Sequence, residues 1–522
     1  MTSRSPVVAT GLATLFLLAF LLATGHGAIP QSDHDFDGDA DGRDLAVFAT
    51  YYTGGETKAD LDSDGHVNAQ DVAAFAACLG FVESFAHTYD VGPGQPYADP
   101  SEVPWESLAP GSLIRIHYRE QPYANKWVLA VSGTHHDPIV VRGIPENDAL
   151  PVITGENATT RLALDYWNED RSVIKVGGSS SPSAFPSYVI IENLAVRSAR
   201  PPYTFADDRG NVKTYRTNAA SIHVEEGEHI VVRNCILQNS GNGFFSSSQS
   251  ADLLLEGNYI YGNGIENSIY HHNNYTESLG ITFQHNRFGP LRPGCKGNNL
   301  KDRSAGTVVR YNWIEAGNRT LDLVESDHST LRNHPSYRET FVYGNVLIKH
   351  DVVENSQVLH YGGDGGDEGI YRKGTLWFFN NTVLSHRSGN TTLMRLSSND
   401  EHSECFNNIV YAVAAPGRLA ILDETGTMNL YHNWLSAGWV WAHGGLAGDV
   451  NLWENVEGEE PGFADMAGHD YSLLDVSPCI DEGLDLPPQL LPAHELLYQY
   501  TRHQRYTERP HDDHLDLGAF EG

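Results

Sequence analysis

The sequence predicts an all-β chain whose bulk, residues 83–522, is a parallel β-helix. The first observation behind this is a repeat. A short apolar run ending in Asn, then one or two more apolar residues, returns at Asn193, Asn234, Asn258, Asn286, Asn312, Asn345, Asn381, Asn408 and Asn433. The Asn-to-Asn spacings are 41, 24, 28, 26, 33, 36, 27 and 25 residues. A spacing in the twenties is one coil, and stacked coils bury together an apolar face that none can bury alone. Asn is disfavoured inside a strand, but at a fixed position it suits an internal ladder of side-chain amides. The second observation is that no long segment of period 3.6 separates the runs, which excludes an ordinary α/β domain. A β-propeller would repeat at about 40–50 residues and fits only the widest spacings.

Composition agrees. With 34 Lys+Arg against 67 Asp+Glu the net charge is −33, and 40% of the 522 residues are apolar, so the chain has material for a core. Fifty Gly and 25 Pro provide turns. The acidic balance argues against a nucleic-acid partner, which needs a basic surface. Five cysteines, Cys78, Cys235, Cys295, Cys405 and Cys479, are odd in number and widely spaced, so they read as small core residues rather than a disulfide framework.

The N-terminus carries two further elements. Residues 1–28 read as an export signal: Arg4, an uncharged run from Val7 to Thr24, then small residues to Ala28. A secreted or cell-surface, membrane-free and monomeric mature chain is expected. Residues 29–82 hold two Asp-rich loops. The first places Asp33, Asp35, Asp37, Asp41 and Asp44 at loop positions 1, 3, 5, 9 and 12, and the second Asp60, Asp62, Asp64, Asn68 and Asp71. Both have Gly at position 6, where the chain must turn sharply, and both run into a similar short helix. This spacing wraps hard oxygen ligands around one point, so each loop is expected to bind Ca²⁺. From Asp33 to about Phe81 the pair resembles a type I dockerin, which implies a cohesin domain as a possible partner. Ala40, where an aliphatic residue is commoner, and the N-terminal placement depart from that pattern.

The repeat also gives a phase, because residues at one offset from the ladder Asn should stack in a column. His272 lies 14 after Asn258; Lys301 lies 15 and Arg303 17 after Asn286; Asp322 lies 10 and Glu325 13 after Asn312. His360 lies 15 and Tyr361 16 after Asn345, and Arg395 lies 14 after Asn381. Ionisable groups on five consecutive coils suit a groove for a polymer. His271-His272-Asn273-Asn274-Tyr275 packs two bases, two amides and a phenol together, and either face of that strand can line the groove. Lys301 and Arg303 share a face with no obvious acid beside them, which suggests an anionic ligand. Asp364 and Asp367 fall in a Gly-rich run, 362–369, that predicts a loop.

These residues resemble a group of bacterial secreted right-handed parallel β-helix proteins, pectate-lyase-like in fold. The likeness spans roughly residues 89–522. It includes the opening Val91-Gly92-Pro93-Gly94 to Trp105, the turn Ser132-Gly133-Thr134 with Pro138 to Val141, and a His-Asn-x-Tyr element at His272, Asn273 and Tyr275. It continues with Lys-x-Arg at Lys301 and Arg303, Asp322 in an apolar strand, Tyr361-Gly362, and the tail elements Ser477 to Asp481 and Asp516 to Glu521. The fold hosts lyases, hydrolases, epimerases and inert adhesins. The resemblance implies action on carbohydrate, with a uronic-acid polymer as substrate.

Elimination would need the C6 carboxylate neutralised (Arg303, Asn273 or a bound cation), a base for the C5 proton (Lys301 or His272) and an acid for the leaving oxygen (Tyr275 or Tyr361). Asp322, Glu325, His360 and Arg395 would bind substrate. A hydrolase would use paired carboxyls, with Asp322 and Glu325, or Glu325 and Asp364, as the groove candidates. A non-catalytic carbohydrate-binding protein attached through the dockerin-like module is the third reading. The column is richer in cations and His than in acids, which favours a polysaccharide lyase.

Overall fold

The computed structural model describes residues 67–78, 85–351, 354–510 and 514–522, with single positions between 45 and 61. The apolar run at 7–24 and the loop residues Asp33, Asp35, Asp37, Asp41, Asp44, Asp60, Asp62 and Asp64 lie outside the described residues. Contacts divide the chain into residues 1–84 and 85–522. In the first unit a helix spans Ala69–Cys78. Asp71 is buried, and its carboxylate accepts hydrogen bonds from the backbone N–H of Leu61 and Asn68, each at 2.7 Å. Phe48 and Phe75 stack with centroids 4.9 Å apart.

In the second unit the chain winds through three stacks of parallel strands. One stack runs from His87–Val91 to Asp449–Trp453 and the second, eleven strands, from Val152–Thr154 to Val456–Gly458. The third carries the strands that matter for function: β1 (Ser172–Val176), β2 (Ala220–Arg233), β3 (Asn242–Glu256), β4 (Asn274–Thr276), β5 (Leu300–Asp302), β6 (Leu321–Leu323), β7 (Gln357–Tyr361) and β8 (Thr391–Leu396). β2 and β3 are long enough to belong to the first and third stacks at once. One core of Val, Ile, Leu and Phe, from Val91 to Leu435, fills the interior.

The amide ladder is present, starts later than the repeat suggested and runs one coil further, to Asn455. Asn258 Nδ2 donates to Asn286 Oδ1 at 3.0 Å, and the same bond repeats through Asn312, Asn345, Asn381, Asn408 and Asn433 to Asn455. Asn193 and Asn234 are not in it. Both sit one residue earlier, at the corner where the backbone turns left-handed (φ 56° and 52°), a conformation Asn tolerates. Later coils fill that corner with Gly257, His285, Tyr311, Gly344, Asn380 and Asn407. Cys235 takes the ladder position, its backbone N–H donating to Asn258 Oδ1. Cys235, Cys405 and Cys479 are buried free thiols, and Cys295 is a free, partly exposed one.

The C-terminal segment folds back along the outside of the first stack. There Tyr343, Phe379, Phe406, Tyr431 and Trp453 stack ring on ring at 4.6–5.2 Å. Leu490 and Leu496 pack on them. Tyr311 donates to Glu495 O, Gly518 N–H to Asn407 O, and Gln504 Nε2 reaches Gly257 O.

Candidate active site

Pairing between neighbouring strands fixes which residues of the third stack share a column. Lys175 pairs with His223, His223 with Phe245, Phe245 with Tyr275, Tyr275 with Lys301, Lys301 with Asp322, Asp322 with His360, and His360 with Arg395. Side chains alternate across a strand, so the next residue along each strand faces the core. Tyr361 is therefore inside, fully buried and part of the main core. Burial pushes its phenol well above the ordinary tyrosine range. It lines no groove, contrary to expectation. The strict offset count failed because the loops between Asn and strand differ in length. Tyr275, 17 residues after Asn258, shares the column with Lys301, whereas His272 precedes β4.

His272 and Asn273 serve the structure. His272 is buried, and its Nδ1 accepts the backbone N–H of Asn298 at 2.9 Å. Burial, reinforced by the Lys301 charge, lowers its pKa to about 3, so it is neutral and its one acceptor nitrogen is occupied. It does not supply the expected base. Asn273 belongs to a second, shorter amide ladder. Asn263 Nδ2 donates to Asn273 Oδ1 at 3.0 Å, and Asn273 Nδ2 to Asn299 Oδ1 at 2.9 Å. It is fully buried and contacts no groove.

Lys301 and Arg303 do have acid partners. Lys301 Nζ lies 2.7 Å from Asp322 Oδ2 and 2.5 Å from Asp364 Oδ2. Arg303 places Nη2 2.9 Å from Asp364 Oδ1, donates through Nη1 to Glu325 O, and donates through Nε to Tyr275 Oη at 3.1 Å. Burial disfavours the Lys301 ammonium, but Asp322 and Asp364 outweigh it and raise the pKa above the ordinary lysine value. A lysine held charged in this way is not the lowered-pKa base that was expected.

The acids are equally committed. Asp322 is fully buried and accepts from Lys301, from Asn298 Nδ2 at 2.6 Å, from Arg319 Nη1 at 3.3 Å and from His360 Nδ1 at 2.8 Å. Burial opposes its charge, yet Lys301 and His360 hold it well below the carboxylate range. Glu325, 1% exposed, accepts the backbone N–H groups of Asp364 and Gly365 at 2.9 and 2.6 Å, pinning the loop after β7. Neither acid presents a free carboxyl to a glycosidic bond. His360 is 1% exposed, and its two ring nitrogens face Asp322 and Ser397. Arg395 is partly exposed and makes no hydrogen bond or ion pair among the described residues.

The open part of the column lies at its other end. A cavity of about 540 Å³ is lined by Tyr275, His271, Tyr270, Phe245, Arg171 and Arg216, with Thr217 and Asn218. Tyr270 is 74% exposed, an aromatic surface at the rim. Arg171 ends the short 3-10 turn Glu169–Arg171. Its guanidinium lies 4.5 Å from the Phe245 ring centroid, and its Nε is buried without a hydrogen-bond partner. Arg216 is anchored by Asp170 at 2.8 Å. Neither arginine stands out in the sequence, because both sit on connecting segments outside the strand offsets.

Among the described residues no group of three or more His, Cys, Asp or Glu forms a metal-binding cluster, and no helix is long and apolar enough to cross a membrane.

No family model matches the sequence, and no curated protein matches it. Among solved structures the chain is similar to an alginate lyase from Paenibacillus sp. str. FPU-7, with 12% identity, 66% of this chain and 99% of that chain covered, and a TM-score of 0.40. It is also similar to a rhamnogalacturonan lyase (11% identity, 62% and 82% covered, TM-score 0.42) and to pectate lyase Pel9A (11%, 84% and 97%, 0.42). At these scores the likeness carries no argument about chemistry, and the functional reading rests on the site itself.

Proposed function

We propose that the chain is a polysaccharide lyase that cleaves a uronic-acid-containing polymer by β-elimination, with Tyr275 as the proton-transfer group. The observation that carries this reading is the Tyr275 hydroxyl, held by Arg303 Nε at 3.1 Å on the wall of a cavity that also presents Arg171 and Arg216. Elimination removes the C5 proton, forms the C4–C5 double bond and breaks the C4–O4 bond. Arg171 and Arg216 neutralise the C6 carboxylate, without which the C5 carbanion is too costly. Arg303 Nε orients the Tyr275 oxygen, which takes the C5 proton and delivers it to the leaving O4. Lys301, Asp322, Asp364 and Glu325 hold Arg303 in place. Tyr270 offers a ring face to sugar.

The hydrolytic alternative loses support because Asp322 and Glu325 are saturated by donors. Export through residues 1–28, Ca²⁺ binding by the two N-terminal loops and docking to a cohesin remain part of the proposal, on the sequence pattern alone.

The test is incubation of the full chain with a panel of uronic-acid polysaccharides, with and without chelator. The 4,5-unsaturated product absorbs ultraviolet light. Growing absorbance that disappears in Tyr275→Phe supports the lyase. Reducing ends without absorbance point to hydrolysis, and binding without either product points to a carbohydrate-binding protein.

A further inference from the structure

At the far end of the same column, beyond Lys301, three residues adopt a second arrangement. His360 Nδ1 lies 2.8 Å from Asp322 Oδ1, and His360 Nε2 lies 2.8 Å from Ser397 Oγ. The ionised Asp322 can only accept, so Nδ1 carries the imidazole proton and Nε2 is the acceptor facing the serine hydroxyl. Asp322 is itself fixed from its other oxygen by Lys301 and Asn298. This is a nucleophile, a base aligned with it, and a buried carboxylate that sets the tautomer of the base, each within hydrogen-bonding distance of the next. The order Asp322, His360, Ser397 comes from three successive coils, and such a constellation is recognised by geometry, not by chain order. Asp322 and His360 are buried, whereas Ser397 is partly exposed.

One cation beside Ser397, Arg395, suits a developing oxyanion. The Gly363 N–H donates to Ser397 Oγ itself at 2.8 Å and so orients the hydroxyl. Arg395, two residues before Ser397 and paired with His360, has no ion-pair or hydrogen-bond partner among the described residues. Ser397 Oγ also lies 2.8 Å from Gly363 O and 3.1 Å from Tyr361 O, so the hydroxyl has acceptors to leave when it turns to His360.

We propose that Asp322, His360 and Ser397 form a serine-esterase centre that removes ester-linked acyl or methyl groups from carbohydrate. Ser397 Oγ bonds to the ester carbonyl carbon while its proton passes to His360 Nε2. The tetrahedral adduct collapses, the C–O bond to the alcohol breaks, and His360 returns the proton to that alcohol. Water then adds to the acyl-serine by the same route, releasing the acid and restoring Ser397. The net reaction is ester plus water to acid plus alcohol. Ser397 and His360 are catalytic and Asp322 is a positioning residue. This centre stands on its own distances and does not depend on elimination at Tyr275.

The decisive experiment uses the full native chain, a fluorophosphonate probe and 4-nitrophenyl acetate, with no uronic-acid polymer present, so its outcome is separate from that of the lyase assay. The expected result is one covalent adduct by intact mass, mapped to Ser397, and aryl ester turnover beyond one equivalent. Ser397→Ala should take no adduct, and His360→Gln should label at least ~100-fold more slowly, with circular dichroism confirming that both variants fold. Native protein that leaves Ser397 unlabelled, or labelling at an undiminished rate in folded His360→Gln, would overturn the proposal. In either case Ser397 merely ties β8 to the Gly363 loop.

Discussion

Lys301 and Asp322 stand opposite one another on β5 and β6, with Nζ 2.7 Å from Oδ2 and both side chains almost wholly out of water. A buried pair of this kind is costly to break from one side, because the surviving charge keeps its desolvation penalty without its partner. Asp322→Asn should therefore destabilise the β-helix by about 3–5 kcal/mol. Replacing both members, Lys301→Met with Asp322→Leu, should recover only the part due to this pair, because Asn298, Arg319 and His360 still lose their acceptor and Asp364 its cation. Urea denaturation of the two variants compares them directly, and equal losses would contradict the pairing argument.

The amide ladder makes a second stability prediction. Asn312 Nδ2 bonds to Asn345 Oδ1 and to Phe283 O, while its own Oδ1 accepts from Asn286. Asn312→Ala should cost about 1–3 kcal/mol by orphaning these groups. Asn234→Ala, at an exposed corner outside the ladder, should lose only the small advantage of Asn in left-handed backbone. Chemical denaturation should rank the two in that order.

Acid should weaken the fold in two stages. Burial, with the Lys301 charge adding to it, puts the folded pKa of His272 at about 3, and burial also lowers that of His360. The unfolded value is about 6.5. Folding thus favours the neutral imidazoles: their contribution is whole above the unfolded value and drains away as pH falls from about 6.5 toward 3. Asp322 and Asp364 have depressed pKa values, so their contribution persists above the unfolded carboxylate value and is lost only as pH falls through the folded ones. Thermal melting across this range should show the early decline, and His272→Gln should reduce it.

In the elimination assay Tyr275→Phe should lower kcat by roughly 100-fold or more with little change in KM, since only the proton-carrying oxygen is removed. Arg216→Ala should weaken substrate binding and lower kcat/KM. A Tyr275→Phe enzyme of full activity would move the chemistry elsewhere in the groove.

Calorimetric titration of the full chain with Ca²⁺ should find two sites from the N-terminal loops, and Asp35→Ala with Asp62→Ala should remove both. Heat of binding unchanged in that double variant would dissociate the loops from calcium.

The coil architecture was legible in the sequence because the ladder amide is a chemical requirement that recurs once per turn. The misplacement of Asn193 and Asn234 has a physical origin: Asn also suits the left-handed corner one residue earlier, so the residue type alone does not separate the two positions. The site was harder to read. Counting from the ladder brought out Lys301, Asp322, His360 and Arg395, but the intervening loops absorb different lengths, and Tyr275 moved into register where His272 was expected. Which face a strand residue occupies changes with a single step, and that step separates His360 from Tyr361. The acid partners of Lys301 and Arg303 come in part from Asp364, more than sixty residues along the chain. No local pattern announces such a partner.

The returning C-terminal segment also sets an order of assembly. The rings from Tyr343 to Trp453 belong to coils that are synthesised well before Leu490 and Leu496 exist to cover them. During synthesis, and again in any refolding that begins at the coils, this chain must pass through a state with an adhesive aromatic flank in water. A truncation before residue 490 would leave that flank permanently bare, and the consequence would be seen as self-association at micromolar concentration rather than as a change in the site.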